Sequence, residues 1–364
     1  MPVVAMDVFP IELTLREPIP MSNGVISSTG NVLVRLIDHE GVVGWGEGVE
    51  APALTGQRQA DIVADLDHLR PRVVGSDPTR ISDTWARARG ALPSGTTALG
   101  AVDMALHDLA AKTLGVPVHR ILGGPIRDVV PALALVGSGQ ADADAEKLEK
   151  RRSEGYTWFK VKLGMGAPET EWGTLALACE LAGPDGVVCG DANEAWGEDE
   201  AIRFLEGIGD REVRFVEQPV SRHDVAALLR VAERSPVPIC ADESAGTLES
   251  VLDLANTAIS GVSLKLIKHG GITGVMRGAA ICATAGLEVN LAGKVIESSI
   301  SAAANLHCAA AMETVRYGCS PANQGVVVDV VEDPITVADG VFSVPAGPGL
   351  GVSVDERILR RLAV

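Results

Sequence analysis

Through the middle of the chain, short apolar runs recur, and each stops on a charged side chain. They read Tyr156-Thr-Trp-Phe-Lys-Val-Lys162, Val188-Cys-Gly-Asp-Ala-Asn193, Phe215-Val-Glu-Gln-Pro219, Ile239-Cys-Ala-Asp-Glu-Ser244 and Val262-Ser-Leu-Lys265. From Lys162 through Asp191, Glu217 and Asp242 to Lys265 the intervals are 29, 26, 25 and 23 residues. Each interval holds one loop, one helix and one strand, the period of a repeated βα unit. In a (β/α)8 barrel the C-terminal strand ends meet at one face, so these charged residues are expected at a single site.

Other patterns flank this stretch. Residues 1 to about 50 alternate as strands do, and 32–37 and 42–47 are predicted to form a hairpin across Asp38-His-Glu-Gly41. The stretches 18–28 and 50–57 are rich in turn formers and read as loops. From Gln57 to Leu122 the period becomes helical, as in Ile62, Leu66 and Leu69, which describes an α+β domain. Alternating units begin at Val129–Val136, and 287–291 and 314–317 are predicted as barrel strands seven and eight. The tail from Val326 is expected to pack back on the N-terminal domain. The expected division is 1–125, 126–325 and 326–364.

Composition narrows the partners. The 364 residues suit a barrel with an attached domain, and 46% hydrophobic content suits a folded core. With 31 Lys+Arg against 48 Asp+Glu the net charge is −17, which disfavours nucleic acid and anionic membranes. Six scattered cysteines read as reduced core residues. The N-terminal stretch does not read as a signal peptide, and a cytoplasmic location is expected.

Lys160 and Lys162 are two apart on one strand and share a face, but alternation alone allows that face to be inside or outside. The acids at neighbouring strand ends favour the inside. Asp191, Glu217 and Asp242 offer oxygen ligands suited to Mg2+, with Asn193 and Glu243 as supporting groups. Without a cation, three such carboxylates raise one another's pKa values. Lys162 and Lys265 lie across the barrel from each other, one amine on each side of a bound carboxylate's α-carbon. Lys160 adds a second cation to stabilise an enediolate, and nearby cations are expected to lower a lysine toward the pKa of a base. His269, beside Gly270-Gly271, reads as structural.

These residues resemble the enolase superfamily, and within it the muconate lactonizing enzyme subgroup. Lys160-Val-Lys162 is similar to the subgroup's Lys-x-Lys, and Asp191, Glu217 and Asp242 to its three metal ligands. Lys265 is similar to its opposing lysine, while Gly44-Trp-Gly-Glu47, 101–112, Leu122-Gly-Gly124 and Gly347-Pro-Gly-Leu-Gly351 are similar to its structural signatures. The resemblance implies an α/β fold, a (β/α)7β TIM-like barrel under an N-terminal α+β capping domain completed by the C-terminal tail. It also implies that the 18–28 and 50–57 loops, with Ser22 and Thr55, close on a small carboxylate substrate, and that the chain forms a symmetric homo-oligomer.

The subgroup's reactions differ, so the resemblance leaves the activity to be chosen. Opposed lysines favour racemisation or epimerisation of an amino-acid derivative. Muconate-type cycloisomerisation and elimination of the o-succinylbenzoate synthase kind are the alternatives. Strand eight ends Tyr317-Gly-Cys-Ser320, without the Asp-x-Asp of dipeptide epimerases. After strand seven, Lys294 and Glu297 are charged, and Lys294 is placed to meet a second anionic group.

Overall fold

The computed structural model describes residues 2–21, 24–92 and 94–364, so Ser22 lies outside the described residues. The chain opens with β1 (Val3–Met21), β2 (Gly24–Asp38) and β3 (Val43–Val49), antiparallel in that order. Gly41, at φ 82°, turns β2 into β3 as the hairpin pattern predicts. The 18–28 stretch is not a loop throughout, because Ile19 pairs with Ile26 and Met21 with Gly24 beyond a register shift. The turn formers misled because β1 is an edge strand, where prolines cost no ladder partner.

Helices Gln59–Val73, Ile81–Ala91 and Thr96–Thr113 follow. The last lies so close to β3 that a Cβ on Gly46 would stand 2.0 Å from the Ala101 carbonyl oxygen. Glycine at 44 and 46 therefore serves close helix-on-strand approach, which explains the Gly44-Trp-Gly46 signature.

The predicted strand 129–136 divides at Ala132. Its first part, β4 (Val129–Pro131), pairs with a strand of the tail, and its second, β5 (Leu133–Val136), begins the barrel. The barrel continues with β6 (Trp158–Lys162), β7 (Val187–Asp191), β8 (Val213–Glu217), β9 (Ile239–Ala241), β10 (Gly261–Leu264), β11 (Glu288–Ala292) and β12 (Gly318–Ser320). These eight strands are parallel neighbours in chain order, and a bridge between Ala132 and Cys319 joins the last to the first. Strand eight thus falls after the predicted 314–317. The Tyr317 ring instead stacks on Phe215 with centroids 4.1 Å apart, and the strand starts only at Gly318, at φ 121°.

The tail contributes β13 (Val341–Ser343), the partner of β4, and it also returns to the N-terminal sheet. There Val327 N–H donates to Thr14 O at 2.8 Å and Arg16 N–H to Gly325 O at 2.9 Å. Among the described residues no helix is long and apolar enough to cross a membrane. All six cysteines are free.

Packing settles the orientation that alternation left open. Phe159, Val161 and Leu163 point outward into the core that includes Leu175 and Ala178 of the helix Pro168–Ala182. Inside the barrel, Leu133, Cys189, Phe215, Cys240 and Tyr317 form an apolar floor beside Trp158. Lys160 and Lys162 face inward above it.

Candidate active site

Strand register sets the charged residues side by side: Lys162 is opposite Asp191, and Asp191 opposite Glu217. Asp242 and Lys265 follow directly on β9 and β10. The lysines reach the acids. Lys160 bonds Glu217 and lies 3.1 Å from Asp191 Oδ2, Lys162 donates to the same Oδ2 at 2.7 Å, and Lys265 donates to Asp242 Oδ2 at 2.5 Å.

Each acid divides its two oxygens between different duties. Asp191 Oδ1 accepts Asn193 N–H at 3.2 Å, and Glu217 Oε1 accepts the Ser263 hydroxyl at 2.6 Å. Asp242 Oδ1 accepts Lys268 Nζ at 2.6 Å. One oxygen of each is thus held by a fixed neighbour, and the other meets the ammonium of Lys160, Lys162 or Lys265. With ammonium groups between them, no three His, Cys, Asp or Glu side chains among the described residues stand together as a formed metal cage.

The donor set nevertheless fits a hard cation. Three carboxylate oxygens already face positive charge, and a fourth, Glu243 Oε2, is buried with no hydrogen-bond partner. Burial, then Asp242 beside it, pushes the Glu243 carboxyl up to about 7. Asn193 bridges the group, taking a bond from Lys162 on its oxygen and donating to Glu243 Oε1 at 3.3 Å. A cation facing these oxygens would relieve both the orphaned atom and the mutual repulsion.

Electrostatics separate the roles. Burial alone would lower Lys160, yet Asp191 and Glu217 raise it well above its ordinary value, so it remains an ammonium. Lys265 is largely buried, which alone would lower it, yet Asp242, Glu217 and Glu243 raise it. That departs from the lowered lysine expected from sequence, because the carboxylates pair with the amine directly. Asp191 is buried too, but Lys160 and Lys162 hold it down at about 2.

Two positioning residues escaped the sequence reading. Lys268 is 3% exposed and donates to Asp242 Oδ1, Asp242 O and Ser263 O at 2.6, 2.6 and 2.9 Å. Its signal was a lysine inside the apolar turn Leu266–His269. Gln218, at φ 36°, accepts the N–H groups of Asp242 and Ser244, each at 3.0 Å, and so fixes the β9 end against β8. His269 bonds Ala245 O at 3.1 Å, and burial holds it down at about 3, in keeping with a structural role.

The remaining expected residues are spread around the rim. Thr55 Oγ1 donates to Ala51 O at 3.3 Å, while its loop touches the barrel where Arg222 donates to Ala53 O at 3.0 Å. Glu297 is turned away from the lysine and acid cluster and accepts the N–H groups of Lys294 and Ala322 at 3.1 and 3.0 Å. The capping part holds this turn directly, since Asn31 Nδ2 donates to Ile296 O at 2.9 Å. The buried Glu47 carboxylate accepts Ser298 and Ser301 N–H at 3.0 and 3.2 Å, at the start of the helix Ser299–Ala311.

Comparison with known proteins matches residues 4–123 to the mandelate racemase/muconate lactonizing enzyme N-terminal domain, and 143–358 to the enolase C-terminal domain-like family. The chain belongs to the muconate lactonizing enzyme subgroup of the enolase superfamily. It is accordingly an isomerase. A chloromuconate cycloisomerase of Cupriavidus pinatubonensis (strain JMP 134 / LMG 1197) is 30% identical over 372 residues, covering 100% of this chain and 99% of that one. The crystal structure of 2-chloromuconate cycloisomerase from Rhodococcus opacus 1CP superposes with TM-score 0.92 at 28% identity, covering 100% of both chains. That of N-succinyl Arg/Lys racemase from Bacillus cereus ATCC 14579 does so with TM-score 0.93 at 25% identity, covering 100% of this chain and 98% of that one. Relatives in this subgroup thus carry out different isomerisations on one architecture, and the site must distinguish among them.

Proposed function

We propose that the chain racemises or epimerises a small carboxylate, an N-acylated amino acid, by moving the proton on the carbon beside the carboxylate. The observation that carries this reading is that Lys162 and Lys265, from the second and sixth barrel strands, both turn inward and end on the same acid cluster. One amine then serves each face of the deprotonated carbon. Lys162 takes the proton from one face while Lys265 delivers one to the other, and the roles exchange for the opposite enantiomer.

Asp191, Glu217 and Asp242 are the proposed ligands of Mg2+, with Asn193 and Glu243 orienting the set. When bound, the ion supplies positive charge against the substrate carboxylate, where negative charge builds as the proton leaves. Lys160, kept as an ammonium by its two carboxylates, adds a fixed positive charge to the floor of the site. With Asp242 and Glu217 engaged as ligands, their carboxylates would hold the Lys265 ammonium less strongly, which would bring its amine toward the range where a base works at neutral pH.

A second reading, lactonisation of a muconate-like diacid, is favoured by the full-length similarity to chloromuconate cycloisomerases. It uses one lysine as proton donor and leaves the other as a cation. The two readings separate in D2O. With Mg2+ and N-acylated amino acids, racemisation exchanges the α-proton for deuterium, and Lys162→Ala or Lys265→Ala lowers exchange by about 10²–10⁴-fold. Lactone formation from muconate, with no α-exchange in any amino-acid derivative, would replace the first reading by the second.

A further inference from the structure

Four lysines in the barrel mouth are matched to acids, and a fifth is not. Lys160, Lys162, Lys265 and Lys268 each meet Asp191, Glu217 or Asp242. Lys294, just beyond β11, is half-buried, yet its ammonium has no hydrogen bond or ion pair among the described residues. Its surroundings do not neutralise it. Glu50 uses its two oxygens on Gly30 and Gln59 N–H, at 3.0 and 3.1 Å. Glu297 accepts backbone N–H groups and the Asn305 amide, and burial pushes its carboxyl up to about 8, so near neutral pH it is mostly uncharged. Burial and the neighbouring Lys265 both lower Lys294 itself, the signature of a charge short of a counterion.

The backbone that carries this lysine is fixed while its amine is free. The turn 293–298 is held at Lys294 N–H by Glu297, at Ile296 O by Asn31 and at Ser298 by Glu47. Residue 296 sits at φ 67°, a conformation an isoleucine adopts only when its neighbours impose it. Such a pinned turn fixes the point from which the lysine side chain reaches into the barrel mouth.

We propose that Lys294 is the specificity-determining residue of this site, receiving a second anionic group at the end of the substrate remote from the reacting carbon. The substrate is therefore a dianion, one carboxylate in the acid and lysine cluster and another on Lys294. This rests on the proton-transfer reading above and deepens it: among N-acylated amino acids, it selects those whose acyl group ends in a carboxylate. A charge-assisted bond in a partly dry site discriminates by about tenfold to a hundredfold against the analogue that lacks it.

The test compares N-succinyl with N-acetyl forms of one panel of amino acids, by α-deuterium exchange and by calorimetric binding to the Mg2+-loaded enzyme. Wild type should favour the succinyl forms in kcat/KM by about tenfold or more, mostly through KM. Lys294→Met should bring the two series within about threefold of each other, and Lys294→Arg should keep the preference. A wild-type ratio near one, or a ratio retained in Lys294→Met, overturns the assignment. If neither series exchanges, the proton-transfer reading fails, and calorimetry still decides on Lys294. Tighter succinyl binding that Lys294→Met abolishes supports it, whereas equal or absent binding overturns it.

Discussion

Lys268 should be indispensable to the stability of the barrel mouth, although it was not singled out by spacing. Replacing it with methionine keeps the length of the side chain and removes a cation that donates to Asp242 Oδ1, Asp242 O and Ser263 O. All three acceptors are buried, so water cannot simply take over. Breaking a buried ion pair from one side costs about 3–5 kcal/mol. Lys265 still faces the other Asp242 oxygen, which places the expected loss at the lower end, ~3 kcal/mol. An unfolding entropy of about 2.1 cal/mol/K per residue, taken over 364 residues, makes ~0.8 kcal/mol equal to one degree. Lys268→Met should therefore melt ~4 °C below wild type by calorimetry, and its urea midpoint should fall with unchanged slope. Mg2+ affinity should weaken too, because Asp242 loses the contact that orients it. A melting temperature within a degree of wild type would refute the claim that this cation holds Asp242.

Other outcomes follow from the same geometry. Asp191→Asn, Glu217→Gln and Asp242→Asn should each weaken Mg2+ binding about tenfold or more in calorimetric titration, and unchanged titrations in all three would remove them as ligands. Gly46→Ala should drive a methyl into the Ala101 carbonyl and cost ~3 kcal/mol, read as a fall in melting temperature. His307 is fully buried against His119, with Nδ1 atoms 3.0 Å apart, and burial holds it down at about 4 from an ordinary 6.5. Between those values the unfolded chain binds the extra proton and the folded one does not, so stability falls as pH drops from 6.5 toward 4. The His307 share of that loss is about 3 kcal/mol, so His307→Gln should lose less stability than wild type by about that amount, and an equal loss in the two proteins between pH 7 and 4.5, read from urea curves, would contradict it.

The barrel was legible because its strands end on charges at nearly constant intervals, a signal that depends only on local chain length. Register within the strands was less legible. Lys160 and Lys162 were consistent with either face until Phe159, Val161 and Leu163 were seen packed in the outer core. Lys268 and Gln218 were missed because their work is done across space, on the backbone of a neighbouring strand end. Strand eight slipped because Thr314–Tyr317 has the β-branched and aromatic character of a strand, while the Tyr317 ring is used to plug the barrel floor. The tail was expected on the N-terminal domain, where it does return, and part of it also pairs with β4. An unpaired edge beside the first barrel strand is a requirement that composition does not reveal.

The turn that presents Lys294 takes its shape from Asn31 and Glu47, residues more than 240 positions earlier in the chain. Identity and pose at this position are thus written in different halves of the polypeptide. Grafting the barrel of this enzyme beneath a relative's cap would transplant the amine without its aim, so exchange of preference between relatives calls for both halves to travel together.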